Sequence, residues 1–426
     1  MLLYVLASLT VVTFHTVTAC PFHTVKQEQR DYNNFRRSEA GPQTRTAISD
    51  VRVYNGLHFA GPETVCFDAG YIVDEHGCAN AAVTINGTGK FLISGLIDSH
   101  LHLTDIASLE SFTSYGLTTA MHMNCGNATQ CQIMRHQPGL AQFFSAGRSA
   151  VGKNSSHEAT DPVRPKDTLI YPGTNVTQFV VTQFDSGADF HKITAEVNGP
   201  SIQQQTDMIR VAHATYQKQA MTHASSILGY EEAVDSMTDG IQHVPDDGLL
   251  SDAIIALIKY QNQFVTPTLN VFEYAYSPNN TQFRQYFGVT PGSNRTLSNA
   301  EENACRLYRA GIPLIAGTDS VGHLAANGLE LDVPWGLTLH YELQHLVYIV
   351  GMTPAEAINA ATSKAAKWHR IPDRRQIKVG MRADLLMLDS DPLIKIENTM
   401  DVHRIWALGI EVQHVARLNV SSAARN

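Results

Sequence analysis

Phe91-Leu-Ile-Ser-Gly-Leu-Ile-Asp-Ser-His100-Leu-His102 is an apolar run that ends in two histidines one residue apart. In a strand, residues i and i+2 project from the same face, so His100 and His102 can point at one ion. Such a pair is weak evidence by itself in a chain with 19 histidines; its weight comes from what lies downstream. Short apolar runs at 118–123, 143–145, 190–195, 220–223, 240–244, 264–268 and 314–317 alternate with helical patterns, including 201–218, 227–238, 250–260 and 299–310. Strands alternating with helices give βαβ units and a parallel sheet. A (β/α)8 barrel of about 250 residues gives about 31 residues to each unit. His100 and Asp319 lie 219 residues apart, or seven units, and His102 and Lys192 lie 90 apart, or three. Lys192 to His223 is 31 residues, His223 to His243 a compact 20, and His243 to Asp319 is 76, two slightly long units. Polar groups therefore fall at the ends of strands 1, 4, 5, 6 and 8, the rim where barrel active sites are built.

Outward from this barrel, assigned to residues 94–373, both flanks read as β-rich. Residues 47–93 carry short alternating stretches between Gly, Asn and Asp turns, and a comparable set returns over 374–417. The simplest arrangement packs the two flanks together as one small β-sandwich. Residues 20–46 are polar and aperiodic and read as a mobile leader. Residues 2–14 are apolar but too short for the roughly 20 residues of a membrane span. With Val17-Thr18-Ala19 behind them, they read as a signal peptide over 1–19.

The chain has 426 residues and a formal charge of −9. The balance argues against a nucleic-acid partner, which asks for a basic patch. Seven Asn-x-Ser/Thr sequons stand at Asn86, Asn127, Asn154, Asn175, Asn279, Asn294 and Asn419, against roughly three expected by chance, and mark candidate glycosylation sites. Six cysteines suit an oxidising compartment, with Cys66/Cys78 and Cys125/Cys131 as the natural pairs. No CxxC, Walker or dinucleotide fingerprint or Gly-x-Ser-x-Gly elbow is present. The expectation is a secreted glycoprotein, free of the membrane once mature, acting on a small molecule alone or as a homo-oligomer.

His100, His102, Lys192 (in Phe190-His-Lys-Ile-Thr), His223 (Met-Thr-His-Ala), His243 (Ile-Gln-His-Val) and Asp319 (Gly-Thr-Asp-Ser) together resemble the amidohydrolase superfamily. Gly351-Met-Thr-Pro-Ala-Glu-Ala-Ile-Asn-Ala-Ala-Thr362 and Val379-Gly-Met-Arg-Ala-Asp-Leu385 match it as well, and the resemblance covers about residues 47–417. The lysine points to the metal-dependent prolidase and ochratoxinase-like branch. The resemblance implies a barrel with a small sandwich beside it and two divalent ions, zinc by the imidazole and carboxylate donors. It implies His100, His102 and Asp319 on one ion, His223 and His243 on the other, and a carboxylated Lys192 shared between them. Hydrolysis of an amide in a peptide-like or N-acyl amino-acid substrate would follow, by activated hydroxide with Asp319 as the proton carrier. Lactone or ester hydrolysis, decarboxylation on the same barrel and a non-catalytic binding protein are the alternatives.

Three further residues are candidate substrate contacts: His323 in the loop past Asp319, His122 on strand 2, and Arg148 after strand 3. His191 should face the outer layer, and His213, His340 and His345 read as surface or packing residues.

Overall fold

The computed structural model describes residues 40–161, 163–277, 280, 284, 289, 292–326 and 329–413, with backbone only for 323–331. The expected signal peptide, most of the expected leader, the sequons Asn279 and Asn419, and residues 414–417 lie outside these.

Eight extended segments form a ring. Leu96–Leu101 pairs in parallel with Leu117–His122, and that with Gln142–Ser145. Asp189 N donates to Ser145 O at 2.7 Å and Ala150 N to Lys192 O at 2.8 Å, which carries the ring to His191–Thr194. Ala220–His223, Gly240–Gln242 and Phe264–Thr266 follow in parallel register. The last segment, 314–320, bridges Val265 on one side and Leu101 on the other, with Ser99 N donating to Ala316 O at 3.0 Å. Gly317 is required here: a Cβ would stand 2.5 Å from Thr266 Cγ2 and 2.9 Å from His100 N. The expected (β/α)8 barrel is thus present, and its order is the order of the chain.

The barrel is filled rather than hollow. Ile97, Met121, Met221, Phe264 and Ile315 pack in its interior, over Ala365 and Ala366 of the helix Ser363–Trp368. Outside, helices lie over the strands and bury their apolar faces: Val180 and Phe184 of Val176–Asp185 meet Met208 and Ile209 of Ile202–Tyr216. Their ends carry the capping chemistry of their sequences. Ser201 and Gln204 form a reciprocal capping box, as do Thr353 and Glu356 around Pro354. Thus Thr353-Pro-Ala-Glu356, part of the family-like stretch, is a helix start.

The two flanks join as expected, but as one hydrogen-bonded sheet rather than two separate ones. Seven of its eight strands form one continuous path, with Val83–Asn86 set beside Thr46–Tyr54, and Phe91–Ser94 pairs antiparallel with Leu385–Leu388 at the junction. The sheet folds over on itself. Phe67 and Trp406 lie four strand steps apart, or about 19 Å along a flat sheet, yet their rings are 5.8 Å apart. Ile48, Val65, Leu92, Leu385 and Met387 complete this second core. A sandwich-like interior results from a single sheet because Thr46–Tyr54 pairs with Val83–Asn86 along its first half and Phe91–Ser94 along its second. The end of the expected leader belongs here too. Gln43 Nε2 donates to Leu408 O, Arg45 pairs with Asp68 at 2.7 Å, and Thr46 opens the first strand, so side-chain partners far along the chain fix these polar residues.

Cys66–Cys78 and Cys125–Cys131 are disulfides, with Cα separations of 5.4 and 6.3 Å, and Cys305 is free and buried. The sequons Asn86, Asn127, Asn154, Asn175 and Asn294 are all exposed. Among the described residues no helix is long and apolar enough to cross a membrane.

Candidate metal centre

The barrel delivers its polar groups to one point at the rim. His100 Nε2 and His102 Nε2 approach the same oxygen of Asp319, Oδ1, at 3.3 and 3.1 Å. The His243 ring lies 4.7 Å from that of His100 and 4.5 Å from that of His223. Ligand atoms of His100, His243 and Asp319 all fall within 4.8 Å of one another. Lys192 extends into this group from the fourth strand; its Nζ is buried and has no hydrogen-bond partner among the described residues. Its charge acts on His100, His223 and His243, and Asp319 acts on it in turn. All six residues selected by spacing converge.

The backbone is bent to present them. His243 has φ +73°, Asp319 φ +56° and Thr268, which follows the seventh strand, φ +51°. A left-handed β-branched residue is a genuine outlier, and such strain concentrates at functional sites.

Burial sets the charge states. Desolvation, with Lys192 nearby, drives His100 down to about 3, and His223 and His243 fall well below the ordinary histidine value for the same first reason. Burial brings Lys192 down to about 7. Burial opposes ionisation of Asp319, but the adjacent His100 and His102 hold its carboxyl well below the usual range.

The imidazoles are oriented from behind. His100 Nδ1 meets Gln242 Oε1 at 3.0 Å, and His243 Nδ1 meets Thr268 Oγ1 at 2.7 Å. The Gln242 oxygen only accepts, so His100 carries its proton on Nδ1 and turns the Nε2 lone pair toward Asp319 Oδ1. The donor set therefore fits a divalent metal: neutral imidazole nitrogens, a carboxylate, and an amine that can lose its proton. On the opposite side Asp98 accepts from His100 N, Thr318 N and Thr318 Oγ1, which ties the first strand to the segment carrying Asp319.

The three substrate-contact candidates separate. His122 is buried, accepts from Leu103 N at 3.1 Å through Nδ1 and packs 5.1 Å from Phe143, so it supports the turn after His102. Arg148 donates to Gly126 O and lines a cavity of about 490 Å³ between helices Ala128–Met134 and Val176–Asp185, and none of the six converging groups lines it. His323 lies on the hairpin Gly322–Ala326/Leu329–Val333, its backbone opposite Asp332. His191 faces outward against Phe179 and Phe184, as alternation requires. His213 pairs with Asp239 and His345 with Glu273, while His340 bonds Thr399 and Tyr115 O.

Sequence reasoning missed His157 and Glu196. The His157 ring sits 4.3 Å from that of His223, and its Nδ1 meets Glu196 Oε1 at 2.8 Å. Glu196 follows Lys192 by four residues, two past the end of the strand His191–Thr194, a signal that position alone could have raised. His157 stands on the short helix Ser156–Thr160 inside an aperiodic loop and carried none.

Comparison with known proteins agrees with this arrangement. A Xaa-Pro dipeptidase structure superposes with a TM-score of 0.71 at 17% identity, covering 86% of this chain and 99% of that one. Molinate hydrolase (0.69, 19% identity, 88% and 95%) and the ochratoxinase of A. niger (0.69, 17%, 87% and 96%) are similar to the same extent. At such identities the likeness is one of fold. An imidazolonepropionase from Pyrobaculum arsenaticum is 36% identical over 83 residues, 20% of this chain, and the match spans only 18% of that protein's length. Residues 91–412 match the Amidohydrolase family. Strand order, rim histidines and that match lead to one conclusion: this chain belongs to the amidohydrolase family.

Proposed function

We propose that the chain is a secreted, metal-dependent amidohydrolase that cleaves the amide of a peptide-like or N-acyl amino-acid substrate. The observation that carries this reading is the buried Nζ of Lys192, without a hydrogen-bond partner among the described residues, beside His100, His223, His243 and Asp319. A buried cationic amine beside three imidazoles is unfavourable, whereas a neutral one can take up carbon dioxide, lose a proton and become a carbamate. Two divalent ions, with zinc suited to the donors, would then be held by His100, His102 and Asp319, by His223 and His243, and by the Lys192 carbamate shared between them.

Bound there, such ions make water nucleophilic near neutral pH and polarise a carbonyl. The chain's own work is positioning and proton transfer. The Gln242 carbonyl favours the Nδ1-protonated tautomer of His100, and the Thr268 hydroxyl holds the His243 ring in place. Asp319 takes the proton of the attacking water on a carboxylate oxygen and passes it to the leaving nitrogen. Similarity in fold to a Xaa-Pro dipeptidase with methionine bound in its active site supports an amino-acid product.

The test is to load purified protein with zinc, incubate it with pooled N-acyl amino acids, dipeptides and lactones, and identify by mass spectrometry which bond takes up water. Amide cleavage is expected; turnover confined to lactones would transfer the same chemistry to an ester carbonyl. Lys192→Ala should lose metal and about 10³-fold or more in kcat/KM, with partial rescue by a short carboxylic acid. Full activity in chelator-treated Lys192→Ala protein would refute the reading. Five exposed sequons and two disulfides support secretion; an unchanged mass after enzymatic deglycosylation of protein from a eukaryotic host would count against glycosylation.

A further inference from the structure

Glu342 is a buried acidic residue outside the converging cluster. It lies in the middle of the helix Leu337–Tyr348, fully buried, in the layer outside the barrel. The closest cationic group to it is His345 at 4.0 Å, itself bonded to Glu273 at 2.7 Å. Its two oxygens instead accept from the backbone of another element: Leu269 N at 3.1 Å and Asn270 N at 2.8 Å. These are the first N–H groups of the helix Leu269–Tyr276, whose N-cap, Thr268, makes no side-chain capping bond. A helix start has orphan donors, and the N-cap side chain ordinarily satisfies one of them. Here a carboxylate 72 residues along the chain does so.

The Thr268 hydroxyl is thereby released from capping, and its Oγ1 is the group that meets His243 Nδ1. Two strained residues face each other across this bond, Thr268 at φ +51° and His243 at φ +73°. Tyr230 Oη fixes the second by donating to His243 O at 2.7 Å. Thr268 is fully buried, so no water competes for its hydroxyl.

We propose that Glu342 is a positioning residue for the metal centre. By capping the helix Leu269–Tyr276 in place of Thr268, it holds Thr268 in the left-handed conformation that presents its hydroxyl to His243 and fixes the tautomer of that ligand. The inference rests on the metal-site reading for its purpose but not for its test, because the tautomer can be read without metal.

The experiment uses full-length protein, Glu342→Gln, Thr268→Ala and the double variant, with ¹⁵N-histidine NMR on the metal-free form and cobalt titration followed by visible absorption. In wild type the His243 signal should report a single tautomer. Glu342→Gln and Thr268→Ala should each mix the tautomers and weaken binding of one cobalt equivalent about 10–100-fold. The double variant should be no worse than the poorer single, because both act through one contact. A wild-type His243 signal in Glu342→Gln overturns the proposal, as does strict additivity in the double variant. Should Glu342→Gln fail to fold, Thr268→Ala alone decides, since an unaltered His243 tautomer there removes the relay. If wild type shows the tautomer but binds no cobalt, the metal-site reading fails while the positioning role stands.

Discussion

The folded-over terminal sheet and the barrel rim both contain left-handed residues, but for opposite reasons. In the sheet, Ala69-Gly70 and Leu408-Gly409 carry paired positive φ values between adjacent antiparallel strands, the geometry that tight hairpins demand. At the rim, His243, Thr268 and Asp319 adopt the same region with no hairpin to require it. The sheet also pairs its charges near the surface, as in Lys90–Asp389 and Arg45–Asp68, while the rim holds a buried amine with no hydrogen-bond partner among the described residues. Local rules agree with one another in the sheet and are broken together at the rim, the pattern expected where structure is maintained against preference for the sake of a site.

Substitutions can break this comparison. The largest stability effect belongs to the sheet: Trp406→Ala should lose about 3–5 kcal/mol in denaturant unfolding, while the protein that remains folded still loads metal. A parallel loss of metal affinity in the folded fraction would show that the two regions are not separable. Next comes the rim: Gln242→Leu removes the acceptor behind His100 and should weaken metal binding about 10–100-fold with little change in the melting temperature of the metal-free protein. Smaller is the pH effect. Burial lowers Lys192 from 10.5 to about 7, so between those values the unfolded chain holds a proton that the folded chain lacks. Stability of the metal-free protein should therefore rise with pH across that window. Lys192→Met should flatten the rise in melts between pH 7 and 9; identical slopes would contradict the buried amine. The smallest effect is Ala69→Gly, which relieves an exposed left-handed position in a hairpin and should stabilise by about 0.5–1 kcal/mol in the same unfolding assay.

How much was legible follows from the kind of signal each feature leaves. Barrel strands recur at near-constant spacing, so His100, His102, Lys192, His223, His243 and Asp319 could be placed by counting, and the structure brings them together. Their supports could not be read in this way. Gln242 neighbours His243 in sequence yet serves His100, and Thr268 serves His243 from the next strand; such bonds depend on which side chains meet across the barrel. His157 reaches His223 from an aperiodic loop, and Glu342 acts through two backbone N–H groups, which no residue pattern reveals. In the terminal sheet the alternation marked the strands, but only the contact of Phe67 with Trp406 shows how the sheet turns over.

Closure of the ring through segment 314–320 has a consequence for how the protein is made. Leu101 must wait for Ser320, and Phe91–Ser94 for Leu385–Leu388, before either has its second neighbour. During synthesis, a nascent chain has emitted His100 and His102 long before Asp319 leaves the ribosome. The contacts of greatest sequence separation are the slowest to form, so assembly of the centre is a late event that doubles as a check on the chain. A polypeptide cut short of residue 319 can retain much of its parallel sheet and yet never complete the ion-holding cluster.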